Sequence, residues 1–175
     1  MGPDPLIISF EHLLTGRILG GPVLDLACGD GRNGLRLASQ GLPVVLADRS
    51  RKAVDAARRS AEERGIEATF WEVDLEAGGA NPLVEDHYGA ILVFRYLHRP
   101  LMPCIRKALR NGGVLLYETF TVDQPKYGMP HNPDFLLHLG ELKIWFRDWH
   151  LIHYFEGVLQ DPQRAVAQIV CEKST

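Results

Sequence analysis

Gly29-Asp30-Gly31-Arg32-Asn33-Gly34 has the spacing G-x-G-x-x-G. Glycines so placed permit a tight turn and let backbone N–H groups approach a ligand that a side chain would block. The run follows an aliphatic stretch, residues 22–26. It opens a segment of helical spacing, residues 32–39, with Leu35 and Ala38 on one side. Asp48 lies 19 residues after Gly29, at the end of the next aliphatic stretch, residues 43–47. A carboxylate there can accept hydrogen bonds from both ribose hydroxyls. Together these residues specify an adenosine-containing ligand at the carboxyl edge of a parallel sheet.

The glycine spacing does not by itself separate a dinucleotide from S-adenosylmethionine. Four features favour the latter. Asp25 lies inside the first strand, where a dinucleotide-binding strand usually carries an apolar residue. A buried carboxylate is costly unless paired, and the ammonium of a methionine moiety, directly or through water, is a partner for it. Asp74, followed by Leu75, ends the third strand and could receive an adenine amino group; the plainer reading is a strand-end cap. The length leaves no room for a dehydrogenase's substrate domain. The terminal segment reads as a hairpin, not as further βαβ units.

The elements that must position these residues are legible along the chain. Strands are expected at 22–26, 43–47, 68–73, 88–94 and 114–118, with helices at 32–39, about 51–64 and about 100–109. Gly41, Gly65 and Asn111-Gly112-Gly113 are placed to stop helices. Short aliphatic strands separated by helices describe a parallel sheet covered on both faces. The last third differs. Residues 120–133 form a long loop with Pro125, Gly128, Pro130 and Pro133, and a loop of that length suggests a lid. A short helix is expected between 134 and 146, then strands at 150–159 and 165–172 around Asp161-Pro162. Strands joined so tightly pair antiparallel. The expected fold is α/β and Rossmann-like. It has a seven-stranded sheet of five parallel strands plus a C-terminal antiparallel hairpin, with helices on both faces. The chain reads as one domain, 1–175: core 22–118, substrate loop and short helix 119–147, hairpin 148–175.

Composition sets the outer bounds. A chain of 175 residues, 46% hydrophobic and 23% charged, is ordinary for a globular protein and needs no disulfides to build a core. Its 17 glycines exceed the roughly 12 expected at average usage, which is why their placement was informative. Nineteen basic against 22 acidic residues, net −3, argue against a dedicated nucleic-acid binder. Cys28, Cys104 and Cys171 form no C-x-x-C pair, which favours a reducing compartment. No signal peptide or membrane-length apolar run is seen, so a cytoplasmic location without membrane association is expected. The oligomeric state, monomer or homodimer, is left open.

The stretch Val23-Leu24-Asp25-Leu26-Ala27-Cys28-Gly29-Asp30-Gly31-Arg32-Asn33 resembles the first motif of class I S-adenosylmethionine-dependent methyltransferases. The Cys-Gly-x-Gly-Arg-Asn form is similar to the small tellurite-resistance-type members. Asp48 matches the family's ribose-binding acid, Asp74-Leu75 its adenine side, and Asn111-Gly112-Gly113 its P-G-G turn. Ala27 stands where Gly is frequent and Asn111 where Pro is. The likeness covers about residues 20–120. Asn132-Pro133-Asp134-Phe135-Leu136-Leu137 and Tyr117-Glu118-Thr119-Phe120 resemble small bacterial methyltransferases of undefined substrate.

The resemblance implies methyl transfer by in-line displacement from S-adenosylmethionine, leaving S-adenosylhomocysteine. The implied cofactor contacts are Asp25, Ala27, Gly29, Asp30, Gly31, Asn33, Asp48, Arg49, Asp74, Leu75, Phe94 and Arg95. The acceptor would lie over the ends of strands four and five. There His98 is the candidate general base, since its pKa lies near neutrality. Glu118 is expected to orient an amine or bond that base. The plainer readings are a helix-start histidine and a carboxylate paired with Arg95 or Arg99. Tyr96 and Tyr117 read as acceptor contacts or core aromatics, and Arg95 and Arg99 as holders of an anionic substrate or a solvated pair. Asp123, Lys126, Tyr127 and His131 are the polar residues of the expected lid. No metal is expected, because His150 and His153 fall on opposite faces of a strand. The leading expectation is a small-molecule acceptor. The alternatives are an RNA or protein acceptor and a non-catalytic cofactor-binding module.

Overall fold

The computed structural model describes residues 2–79 and 81–174. Seven strands form one sheet in the order β3-β2-β1-β4-β5-β7-β6. β1 (Val23–Leu26), β2 (Val44–Asp48), β3 (Thr69–Glu72), β4 (Tyr88–Phe94) and β5 (Leu109–Phe120) run parallel. β6 (His150–Gln160) and β7 (Gln163–Glu172) form a hairpin whose second strand pairs antiparallel with β5. The expected architecture is therefore the observed one.

Every residue of β1 and β4 is buried, as a sheet covered on both faces demands. Side chains alternate between two cores. On one face Leu24, Leu26, Ile91, Val93, Leu115 and Tyr117 pack with α5 (Met102–Ala108) and α6 (Glu141–Trp145). On the other, Val23, Leu46, Leu92, Val114 and Leu116 meet four helices: α1 (Pro5–Phe10), α2 (His12–Thr15), α3 (Arg32–Ala38) and α4 (Arg51–Arg64). The same alternation sends Asp25 and Glu118 to the α1/α3 face. α4 begins where Ser50 Oγ accepts from the Ala53 N–H. It ends at Gly65, whose N–H donates to the carbonyls of Ala61 and Glu62. Its buried residues, Val54, Ala57 and Ala61, share one stripe.

Three details depart from the sequence reading. β5 begins at Leu109, which pairs with Tyr88. The Asn111-Gly112-Gly113 turn is thus an irregularity inside a long strand, where the Gly112 N–H donates to the Lys173 carbonyl. The hairpin strands extend to Gln160 and Gln163, so the turn is tighter than polar residues suggested. Helices α1 and α2 precede the sheet. Their signal was Asp4-Pro5 followed by apolar residues: Asp4 caps α1 by accepting from the Leu6 N–H at 3.0 Å. Among the described residues no helix is long and apolar enough to cross a membrane.

Candidate active site

The chain leaves β1 through three residues with positive φ: Ala27 (56°), Gly29 (57°) and Gly31 (75°). Gly31 is the position that tolerates nothing larger. A Cβ there would sit 2.6 Å from Leu46 Cδ2 and 2.9 Å from Ala57 Cβ. The glycine therefore lets the turn close onto β2 and α4 before α3 starts at Arg32. Asp48, at the end of β2, fixes the turn from the side. Its Oδ2 accepts from the Gly29 N–H at 2.9 Å and its Oδ1 from the Ser50 N–H at 2.8 Å.

A cleft of about 540 Å³ runs across the carboxyl ends of the parallel strands. It crosses β1 and β4, the point where the strand order reverses and where open α/β sheets bind ligands. Ala27, Asp48 and Arg49 line it, followed by Val73, Asp74, Leu75 and Glu76 after β3. Arg95, Tyr96 and Leu97 come from the end of β4, and Phe120 from β5. Met129, Pro130 and Phe135 close it from the long loop. The volume suits a ligand of nucleoside size. Asp74 Oδ1 accepts from the Glu76 N–H at 2.9 Å, the strand-end turn expected of it.

Of the expected cofactor residues, Ala27, Asp48, Arg49, Asp74, Leu75 and Arg95 line the cleft. Gly29, Asp30 and Gly31 form the turn beside Asp48. Asp25 lies elsewhere. It is buried beneath α3, where its Oδ2 accepts from the Gly34 N–H at 2.8 Å. A Cβ on Gly34 would come within 2.9 Å of that oxygen. The carboxylate thus ties β1 to the helix start rather than entering the cleft, and burial pushes its pKa up to about 7. Asn33 is buried too, and its Oδ1 accepts from the Asp4 N–H at 2.8 Å, docking α1. Phe94 belongs to the core on the α3 face.

Neither expected acid–base residue lines the cleft. His98 is half-buried, precedes a single 3₁₀ turn at Arg99–Leu101 and makes no side-chain cap. Glu118 is fully buried on the α1/α3 face. Its Oε2 accepts from Gln168 Nε2 at 2.6 Å, and its Oε1 lies 3.5 Å from Arg164 Nη2, which also faces Asp4 at 3.9 Å. Burial, and then the Asp4 charge, raise its pKa above the ordinary carboxylate range. Its partner is Arg164, not Arg95 or Arg99. Arg99 is bound to Glu141 at 2.7 Å and to the carbonyls of Asp134 and Leu136. Tyr117 donates to the Tyr96 carbonyl at 2.9 Å. The Tyr96 hydroxyl is buried without a hydrogen-bond partner among the described residues, and burial, then Glu76, raise its pKa.

The long loop is a built wall. The sequence reading singled out Asp123 and Lys126, which pair with each other at 2.6 Å on the surface. The residues facing the cleft are instead Met129, Pro130 and Phe135. Buried Gln124 anchors the first of them. Its Nε2 donates to the Met129 carbonyl at 2.9 Å and its Oε1 accepts from the Ala165 N–H at 2.8 Å. A second tie joins Thr121 to Leu137. Nothing local in the sequence marks Gln124 as a clamp, because the partner that ties it to β7 is 41 residues away.

A family model described as a methyltransferase domain matches residues 23–113, from the first residue of β1 into β5. The chain belongs to the methyltransferase domain family. It is 27% identical over 144 residues to the Haemophilus influenzae probable S-adenosyl-L-methionine-dependent methyltransferase TehB, spanning 78% of this chain and 48% of that protein. It is 29% identical over 98 residues to the Escherichia coli tRNA 5-carboxymethoxyuridine methyltransferase, spanning 53% of this chain and 38% of that protein. The crystal structure of Haemophilus influenzae TehB superposes with a TM-score of 0.74 at 23% identity, over 94% of this chain and 62% of that one. This methyltransferase-family chain thus spans about half the length, or less, of the curated relatives it matches. The superposition shares the fold seen here, and the motif-I likeness falls inside the matched segment.

Proposed function

We propose that this chain transfers a methyl group from S-adenosylmethionine to a small-molecule acceptor held in the same cleft, leaving S-adenosylhomocysteine. One observation carries the reading. A single cleft joins a ribose-type carboxylate on β2, an acidic–apolar pair after β3 and an apolar end over β4 and β5. The donor set fits the cofactor. Asp48 spends one lone pair of each oxygen on backbone N–H groups and has others for two hydroxyls. Asp74 would accept from an exocyclic amine, with Val73, Leu75 and Leu97 against the ring. Space is open where a Cβ on Gly29 would stand.

When bound, the sulfonium supplies an electrophilic methyl carbon and a neutral leaving group. The chain's part is to orient and to keep water out. Asp48, the Gly29–Gly31 turn and Asp74 set the position of the nucleoside. Phe120, Met129, Pro130 and Phe135 line the acceptor end with apolar surface. Among the described residues lining that end there is no histidine or carboxylate, so the proposed acceptor is a nucleophile that needs no strong base. A nucleic-acid acceptor is the second reading, favoured by the tRNA methyltransferase relative; the apolar acceptor end and net charge of −3 favour a small molecule.

Calorimetry with S-adenosylhomocysteine tests the proposal. Low-micromolar binding is expected, weakened by about 1–3 kcal/mol in Asp48→Ala, the cost of polar contacts left unmade. Absence of binding refutes it, and an unchanged affinity in the variant refutes the ribose assignment.

A further inference from the structure

Among the described residues, the cleft is lined by one cation that the fold does not use. Arg95 lines it at the end of β4, with φ +56. Non-glycine residues populate this conformation sparsely, and it tends to survive where surrounding structure imposes it at a functional site. Here the Arg95 N–H donates to the Glu118 carbonyl at 2.8 Å, fixing the backbone to β5. The neighbouring arginines are engaged. Arg99 holds Glu141, Arg164 faces Glu118 and Asp4, and Arg49 lies 3.8 Å from Glu76. The Arg95 guanidinium has no hydrogen bond or ion pair among the described residues; Glu118 interacts with it only through its charge.

The wall of the same cleft is apolar and partly open to solvent. Phe135 is 48% exposed and Met129 73% exposed. Large apolar side chains held at a cleft rim are a mark of ligand surface. The backbone at Met129 is held, since Gln124 bonds its carbonyl and ties this stretch to β7. A guanidinium fork matches a carboxylate with two parallel hydrogen bonds. An apolar wall matches a flat hydrocarbon body.

We propose that the acceptors of this site are small apolar acids, with the anionic end on Arg95 and the body against Phe120, Met129, Pro130 and Phe135. The assignment rests on the proposed function, because it names that part of the cleft as the acceptor end. It departs from the expectation that Arg95 serves the cofactor.

The test is calorimetric titration of S-adenosylhomocysteine-saturated protein with 2-naphthoate, 2-naphthylmethanol and 2-naphthylmethylammonium. The naphthoate should bind about ten-fold tighter than the alcohol, the low end for hydrogen bonds to a charged group, with the ammonium weakest. Arg95→Gln should erase the preference and keep alcohol and S-adenosylhomocysteine affinities within about two-fold, showing that the variant is folded. Phe135→Ala should weaken naphthoate and alcohol alike. Equal affinity for naphthoate and alcohol overturns the proposal. So does an Arg95→Gln protein that loses S-adenosylhomocysteine while keeping its naphthoate preference. If the protein takes no S-adenosylhomocysteine, the methyl-transfer reading falls, and the naphthoate preference of the free protein still decides whether Arg95 selects an acid.

Discussion

Asp25 offers the sharpest physical prediction, because its burial is complete and its partner is known. The carboxyl is 2% exposed, accepts from the Gly34 N–H, and has its pKa pushed up by burial from 3.8 to about 7. Between those values the unfolded chain has released a proton that the folded chain still holds. Stability attributable to Asp25 therefore falls as pH rises from about 4 and levels off above about 7. Linkage with these two values gives a loss of about 2–3 kcal/mol between pH 5 and pH 8. Asp25→Asn keeps an oxygen for the Gly34 N–H and removes the titration. Urea unfolding of both proteins at the two pH values is the assay. Relative to the variant, the wild type should lose about 2–3 kcal/mol across that interval. Parallel behaviour of the two proteins would refute the argument that burial dominates this carboxyl.

Three further perturbations test other parts of the structure. Gly31→Ala should cost about 2–4 kcal/mol in denaturant unfolding, since it combines a left-handed backbone with a Cβ driven into Leu46 and Ala57. Gln124→Ala strands the Ala165 N–H and the Met129 carbonyl. It should cost about 2–4 kcal/mol and speed amide exchange in residues 121–135, while exchange in β1 and β4 keeps its pattern. Glu118→Ala leaves buried Arg164 facing only Asp4, at 3.9 Å. It should destabilise by about 3 kcal/mol, with Glu118→Gln costing less, as chemical denaturation would register.

The glycine turn and Asp48 were legible in the sequence because a known spacing carries them, G-x-G-x-x-G with an acid at the end of the next strand. Gly31 is needed at one turn, and Asp48 bonds Gly29 from the adjacent strand. The parallel core and the terminal antiparallel hairpin were legible because short aliphatic runs separated by helices, then two strands joined tightly, admit few arrangements. What could not be read was what each polar side chain meets once it is turned into the core or onto a neighbouring element. Asp25 was seen to need a partner, and the backbone N–H of Gly34 supplies one to its Oδ2. Glu118 was correctly placed at the end of β5, but strand alternation turns it toward Arg164 and away from the cleft. The loop was seen as an element facing the site, and its charged residues drew attention. Its inward face is instead apolar, set by a clamp to β7 that no local pattern announces.

The place of β7 has a consequence for how the chain assembles. β7 follows β6 in sequence but lies between it and β5, so β6 has no other neighbour in the sheet. The edge strand cannot join until the strand made after it is in place. The hairpin must close first, or β7 must add to β5 and then recruit β6 backwards along the chain. Both routes bring Glu118 opposite Gln168, 50 residues on. That closure is one of several long-range pairings in the sheet, β1 with β4 among them, and each costs loop entropy before its contacts form. The loop wall depends on the same event, because Gln124 finds Ala165 only once β7 has docked. The wall of the cleft is therefore complete only in a chain whose β5–β7 pairing has formed.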